Sequence, residues 1–542
     1  MMTNARFIQS RSTVLLGLIL SVVMTCGVTF GDILNDEDSL TPAAFADSDD
    51  SVFAATTSDP ILLHRGTVLE TSTDLSFDTP IGTWEHTRTY QSGLRLQQNV
   101  NDKRDVQGQQ WLSGTGSRVL TKIGDNIRLT RTASNSRVFM FDNDKYVPPA
   151  GLDASLVKRG ADATEEFVLT FNDSGSVYIY YGFHSSVAEA LRGKLKEKSN
   201  LNYQAAKLAG ERYTYDDGGV LVSVTTAEPQ SYYIKYSYSK TEQNINRLTR
   251  IEVFAGDNTA LKFAQSEYTY YEFLPLPNED VGSFGDLIQV KTSILLSDRK
   301  NWNTKTIQYR YYRSEKDGGF NHQVKYVLEA DAVERILSSN VGLKNSENIL
   351  TKSDADKLQS GHTIKDYASR SFTYNKETID TNKEIATVWG NENLVQKYGN
   401  SEVNRITPVG RVKTETVNSS CVSCGGVTKT YYYINVSEIP QWRIRGFDNV
   451  VVHVIIEDLQ DADGVPQKRT IYGLHNRGNE LRKIEIENPT AEKLNVVATS
   501  IIENSASQPV EVRSPDVHAL IDSNELVAKF LNPYNEKTKK SE

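Results

Sequence analysis

The chain has 542 residues, and few of its chemically capable side chains stand at spacings that a reaction would need. The densest pairing is Cys421-Val-Ser-Cys424. Two thiols at this step could form a local disulfide, stay a free thiol pair, hold half of a zinc site, or exchange redox partners. Zinc would need two more ligands, yet no second CxxC occurs and His453 and His475 lack ligand spacing. A local disulfide or a free thiol pair between Cys421 and Cys424 is therefore the expectation. Serine, histidine and aspartate are all present, but no Gly-x-Ser-x-Gly elbow appears. His322, in Gly-Gly-Phe-Asn-His-Gln, reads as a turn or strand-end residue. His362 and His475 sit in polar, loop-like contexts without the partner carboxylate of a general base. No catalytic residue is assigned.

Binding chemistry is no more localised. Trp84 and His86 alternate along a strand pattern and share a face, which suits either sugar stacking or a half-buried sheet; the second is the expectation. Asp461-Ala-Asp-Gly464 has a fragment of calcium-loop spacing without the glutamate at the twelfth position, so turn chemistry is expected there. No metal and no cofactor are assigned. Tyrosine is abundant, at 27 residues, in runs such as Tyr178/Tyr180/Tyr181, Tyr232/Tyr233/Tyr236/Tyr238, Tyr268/Tyr270/Tyr271, Tyr309/Tyr311/Tyr312 and Tyr431/Tyr432/Tyr433. Alternate tyrosines project to one face. They would either stack from hairpin to hairpin, each cross-strand pair contributing roughly 0.2–1 kcal/mol, or bind glycans or peptides where exposed. The stacked arrangement is the expectation.

The elements that would carry these residues are hairpins. Tyr213-Thr-Tyr215-Asp216-Asp217-Gly218-Gly219-Val-Leu is the clearest, because glycine accepts positive φ and aspartate bonds neighbouring backbone. Gly124-Asp125, Asp142-Asn-Asp144, Asn172-Asp-Ser-Gly175, Gly256-Asp-Asn258, Lys316-Asp-Gly-Gly319, Asp461-Ala-Asp-Gly464 and Asn476-Arg-Gly-Asn479 repeat the device between alternating runs. The fold class read from this is all-β, a mostly antiparallel hairpin-repeat sheet with few short helices. Helices are expected over 185–198, 329–338 and 524–530, although Gly193 weakens the first and could instead open a strand. The stretches 341–364 and 395–420 read as long polar loops.

Composition bounds the setting. A net charge of −9 argues against nonspecific nucleic-acid binding, and the one basic run, Lys537 to Lys540, reads as a solvated tail. Arg6 and Arg11 precede the apolar run Val14 to Met24, a signal-peptide pattern with cleavage after Ala44-Phe45-Ala46 or nearer Gly31, or else a retained membrane anchor. Either way the bulk of the chain is expected to be exported, and no second apolar run reaches spanning length. The length suits roughly three or four average domains or one long repeat array. The divisions read from the sequence are a signal or anchor over 1–31, an acidic disordered leader over 32–58, a first β region over 59–150 and a repeat-like β region over 151–340. A polar connector over 341–370, a second β region with the CxxC over 371–510 and a tail with a short helix over 511–542 follow.

Several segments resemble the RHS/YD-repeat proteins. Gly66-Thr-Val-Leu-Glu70, Thr73-Asp-Leu-Ser76, Arg88-Thr-Tyr-Gln-Ser92 and Gly108-Gln-Gln-Trp111 are similar to their N-terminal region, and Tyr146-Val-Pro-Pro-Ala-Gly151 continues the pattern. Tyr215-Asp216-Asp217-Gly218-Gly219-Val-Leu221 is similar to a YD repeat, and Asn246-Arg-Leu-Thr-Arg-Ile251 to the strand that closes one. The resemblance covers 60 to about 335 and, more weakly, 365 to 490; a DPxGL core and a following toxin-like domain are not seen. It implies β-hairpins wound into a shell with a scaffold or surface-interaction role. The implied partners are another RHS-type protein, a toxin subunit or cell-surface polysaccharide. A carbohydrate-active enzyme or glycan-binding module on a β scaffold is the alternative.

Overall fold

The fold comes from a computed structural model. It describes residues 61–63, 66–92, 105–113, 119–132, 135–149, 152–226, 231–257, 261–274, 279–313, 318–376, 379–380, 405–406, 410–418, 426–435, 453–461, 463–474, 480–489, 495–503 and 509–513. The apolar N-terminal segment, Cys421, Cys424, His475, the turn 476–479 and the expected helix 524–530 lie outside the described residues.

Alternation decides the main element. In the strand Lys262–Tyr270, Ala264, Ser266, Tyr268 and Tyr270 are buried while the residues between them are only partly covered. That period of two gives each strand an inner and an outer face. One long antiparallel meander of such strands runs from Val119–Ile123 to Pro509–Arg513, with each strand paired to the next one in the sheet. The sheet curls into a barrel. Among the described residues no rung joins its last strand to its first. The architecture is all-β and mostly antiparallel, as the turn spacing predicts.

The turns follow their residue chemistry. Asn143 and Asp144, both at positive φ, make a two-residue turn between Asp142 and Lys145. At the next device Asp216 Oδ1 accepts from the Val220 amide at 2.8 Å, and Gly219 takes φ of +72°. A Cβ on Gly219 would also run into the Ala190 carbonyl oxygen, so the position has both a conformational and a steric reason for glycine.

Three sequence expectations need correction. Residues 185–198 form no α-helix: a single 3-10 turn, Glu189–Leu191, precedes the strand Leu195–Asn200. Gly193 at φ +73° ends the helical path, and its carbonyl accepts from the Leu120 amide at 2.8 Å. The stretch 341–364 is not a plain loop, because Asn345 caps a short helix over Ser346–Leu350. Within 395–420, Val412–Asn418 is a strand of the main sheet. The expected helix near 329–338 is present as Ala330–Ser339, with Ala332, Val333 and Ile336 on its buried face. These helices cover the outer face of the C-terminal end of Trp302–Tyr311, at Gln308 and Arg310. Arg310, fully buried there, donates to the Lys352 and Ile349 carbonyls and pairs with Asp354 at 2.6 Å.

A second sheet occupies the inside of the curl. Its strands are β1 (Ile61–Leu62), β2 (Thr67–Thr79), β3 (Gly82–Gln91) and β4 (Trp111–Ser113), in that order. Its side chains meet strands far apart in the meander. Phe77 packs on Tyr232 and Phe263, and His86 lies between Tyr236 and Tyr268. Trp111 Nε1 donates to the Tyr311 hydroxyl at 2.9 Å, Glu70 pairs with Arg370 at 2.7 Å, and the Gly66 carbonyl accepts from the Val412 amide at 2.7 Å. The inner sheet and the meander share one hydrophobic core.

One contact recurs from hairpin to hairpin. Tyr215 donates its hydroxyl to the Leu195 carbonyl, Tyr238 to Leu221, Tyr270 to Leu248, Tyr311 to Leu287, Tyr374 to Val324 and Tyr433 to Val412, all at 2.7–2.9 Å. Each acceptor residue is itself the Cα partner of the preceding tyrosine in the series: Tyr180 with Leu195, Tyr215 with Leu221, Tyr238 with Leu248, Tyr270 with Leu287, Tyr311 with Val324 and Tyr374 with Val412. In every one of these pairs the register shifts immediately before the tyrosine. A bulge there turns the strand and increases its twist, which curls the sheet. Burial raises the phenols of Tyr215, Tyr238, Tyr311, Tyr374 and Tyr433 above their ordinary range, so they remain protonated donors.

Tyr238→Phe removes one such donor and leaves the Leu221 carbonyl without it. A loss of about 1–2 kcal/mol in urea unfolding is expected, with the m-value unchanged. An unchanged midpoint would show that the hydroxyl bond adds nothing to stability.

Candidate functional site

The strongest concentration of polar chemistry lies inside, on the inner sheet. Residues of β2 pair with β3 through a bulge: Thr73 faces Thr87, Leu75 faces His86, and Asp74 is the extra residue between them. The bulge re-aims Asp74 toward Arg88, whose Nε lies 3.1 and 3.0 Å from the two carboxylate oxygens. Arg88 also donates to Ser72 Oγ at 3.0 Å, and the Tyr268 hydroxyl donates to Asp74 Oδ2 at 2.9 Å. The guanidinium lies over Trp111 at 4.5 Å and over Tyr309 at 5.2 Å. Arg88 is fully buried and Asp74 nearly so. Burial alone would lower the Arg88 pKa; Asp74 and Tyr309 outweigh it and hold the group further above its ordinary value.

His86 is the neighbour on the same face of β3, and it too is fully buried. Desolvation lowers its pKa to about 4, against the opposing pulls of Asp74 and Gln107. This set holds a base, an acid and a cation, but Arg88 and His86 are fully buried together with Trp84, Tyr90 and Trp111. Its chemistry is that of an anchored core: a buried ion pair held by hydrogen bonds and aromatic faces. Trp84 and His86, expected on a half-buried face, are 1 % and 0 % exposed, which leaves no platform for a sugar.

A second cluster brings together serine, histidine and aspartate. Buried Asp286 accepts from His322 Nδ1 at 2.8 Å and from the Ser283 amide at 2.8 Å. Ser283 Oγ lies 3.3 Å from the same Nδ1, while Nε2 is 3.0 Å from the Asn321 side chain. A nucleophilic relay needs the hydroxyl and the carboxylate on opposite ring nitrogens. Here both meet Nδ1, so the ring cannot carry a proton between them. Desolvation raises the Asp286 pKa, against His322 and Ser283, which stabilise its charge. The cluster instead pins a loop: His322 sits at φ +68°, and its carbonyl accepts from the Tyr90 hydroxyl at 3.0 Å.

The remaining sequence candidates separate. Tyr213 and Tyr215 point inward on one strand, Tyr213 donating to buried Glu211 and Tyr215 to the Leu195 carbonyl. Asp216, Asp217, Gly218 and Gly219 form the turn beyond them. Asp461 Oδ1 is taken by the amides of Asp463 and Val465 and Oδ2 by Gln467, which is a turn and not a cation cradle. His362 packs edge-on to Tyr367. Among the described residues no group of three or more His, Cys, Asp and Glu side chains is placed to hold a metal. Cys421 and Cys424 fall between Asn418 and Gly426, which are Cα partners across two paired strands. Sequence reading missed the Asp74–Arg88 pair and the Asp286–His322 cluster. Arg88 was legible as the third member of the Trp84/His86 face, but Asp74 joins that face only through the bulge.

No family model matches the chain, and no curated protein matches it. Among solved structures, a porin-like protein from Bacteroides uniformis has 8% identity over 79% of this chain and 97% of its own, with a TM-score of 0.17. TcdB2-TccC3 without its hypervariable C-terminal region has 9% identity over 83% of this chain and 26% of its own, with a TM-score of 0.16. The chain thus spans about a quarter of that second protein. Scores of this size carry no argument about shape or function.

Two outcomes are expected from the buried cluster. Arg88→Met leaves Asp74 buried without its cation and should cost about 3–5 kcal/mol in denaturant unfolding, most of it recovered by adding Asp74→Leu. Failure of the second change to recover stability would show that Arg88 acts through packing alone. His86 binds its proton at about pH 4 when folded, against 6.5 in the unfolded chain. Its neutral form costs nothing above that upper value. Stability is lost as pH falls from about 6.5 toward 4, by about 3 kcal/mol in total, and no further below. Unfolding curves across this window should flatten in His86→Gln; equal slopes would assign the acid sensitivity elsewhere.

Proposed function

We propose that the chain is an exported, non-enzymatic β-repeat scaffold of the RHS/YD-repeat type that works through surface interaction. The observation that carries this reading is the occupied interior. The space that a wound sheet could offer to cargo is filled by the chain's own inner sheet, from Phe77 against Tyr232 to Trp111 against Tyr309. The ion pair inside is fully buried and the loop cluster has both its hydroxyl and its carboxylate on one ring nitrogen, which supports a passive role over catalysis. The Tyr-x-Tyr pairs, each clasping the preceding hairpin, fit a repeat protein whose units stabilise their neighbours. The partner would meet the outer face: another repeat protein, a toxin subunit or cell-surface polysaccharide.

Fractionation of cells expressing the full chain, with turnover assays of the purified protein on glycoside, ester and peptide substrates, tests the reading. Recovery outside the cytoplasm with no turnover is expected. Cytoplasmic retention would overturn export. Hydrolysis abolished by one carboxylate change in a variant that still folds would replace the scaffold with an enzyme.

A further inference from the structure

The outer face carries one row unlike the rest. Register places Tyr233 opposite Phe254, Phe254 opposite Lys262, and Leu295 opposite Trp302. Ile234 and Val253, the chain neighbours of Tyr233 and Phe254, are buried, so these two rings face outward, and Lys262, opposite Phe254 beyond a bulge, shares their face. It crosses five consecutive strands next to their hairpin tips. Tyr233 and Phe254 have ring centroids 6.3 Å apart, and Trp302, at the far end, is 37 % exposed. Lys262 holds its ammonium 5.9 Å from the Trp302 ring centre while donating to Glu252 at 2.9 Å and Gln265 at 2.8 Å. The indole is therefore positioned by a fixed cation.

Two residues further along each strand, three on the bulged strand of Lys262, the same face turns polar. Lys235 lies opposite Glu252, Glu252 opposite Gln265, Gln265 opposite Ser293 and Ser293 opposite Thr304. Two adjacent rings, Tyr233 and Phe254, and a third, Trp302, with Lys262 and Leu295 between them, thus run beside a strip of amide, hydroxyl and charged groups. A protein partner would need a patch of about 800 Å², far broader than a single row. A lipid surface would need apolar groups without the polar strip beside them. A sugar ring fits both strips, because it has an apolar C–H face for the aromatics and a hydroxyl edge for the polar groups.

We propose that this row, from Tyr233 and Phe254 to Trp302, binds an extended glycan lying across the strands. The proposal rests on the surface-interaction reading and names its ligand class. Phe254 and Trp302 are three strand spacings apart, about 14 Å, which matches roughly three rings of an extended chain. Gln265, Glu252 and Thr304 would meet the hydroxyl edge, and Lys262 would remain where it now sits.

The test is binding of the full chain to a glycan microarray, followed by titration calorimetry with the best soluble oligosaccharide at two to six units. Affinity is expected to rise with length to three or four units and then level. Trp302→Ala and Phe254→Ser should each weaken it tenfold or more with an unchanged unfolding midpoint, because neither residue belongs to the core. Absence of binding to every glycan on the array would overturn the proposal, as would full affinity in Trp302→Ala. Binding to phosphatidylglycerol vesicles that is lost in Trp302→Ala, without glycan binding, would assign the row to lipid and likewise overturn it. Neither result touches the scaffold reading, which stands or falls on fractionation and turnover.

Discussion

The tyrosine hydroxyl that reaches back to a leucine or valine carbonyl is the contact on which this architecture turns. Antiparallel hairpins alone would give a twisted ribbon with no fixed curl. Here each tyrosine from Tyr215 to Tyr374 follows a register shift, faces a leucine or valine across the ladder, and clasps the carbonyl that the previous hairpin offers. The bulge bends the strand and the hydroxyl fixes the bend. A phenylalanine could fill the same space but would leave a buried carbonyl without a donor.

The inner sheet answers the other constraint. A curled sheet with inward tyrosines and aliphatics encloses volume that must be filled at the density of a protein interior. β2 and β3 supply Phe77, Trp84, His86, Arg88 and Tyr90 to it. Placing a cation and a carboxylate there is expensive, and the Asp74 bulge, Ser72, Tyr268 and two aromatic faces offset part of that cost, while Arg88 Nη1 has no hydrogen-bond partner among the described residues. Because the pair fixes how β2 sits on β3, it also sets which side chains the inner sheet presents to the meander. That role for the ion pair is register, which an apolar replacement of equal volume would not specify.

Polarity separates this inside from the outside. The clasping tyrosines spend their hydroxyls on the backbone, and Tyr213, Tyr268 and Tyr431 give theirs to buried carboxylates. Among the outward aromatics of the described residues, Trp302 with Phe254 and Tyr233 stands out because the register sets them on one face of neighbouring strands. The Ser283, Asp286 and His322 cluster shows how composition misleads: the residue types of a hydrolase meet within hydrogen-bond distance, yet one ring nitrogen serves both partners.

The sequence alone determined the strand period, hairpin turns such as Asp142 to Lys145 and Asp216 to Gly219, and a short helix expected at 329–338 and found at Ala330–Ser339, because these depend on neighbours a few residues apart. It also showed the Tyr-x-Tyr pairs, and their burial follows from alternation. Only the tertiary structure decided where each hydroxyl goes, since its acceptor lies on another hairpin and depends on a one-residue shift that no local pattern marks. The same holds for Asp74 and Arg88, joined across a bulge, and for residues 185–198, whose helix-forming composition yields to the inward demand of Leu195 and the positive φ of Gly193. Local chemistry wrote the elements; long-range register and the need to fill the enclosed volume chose their partners.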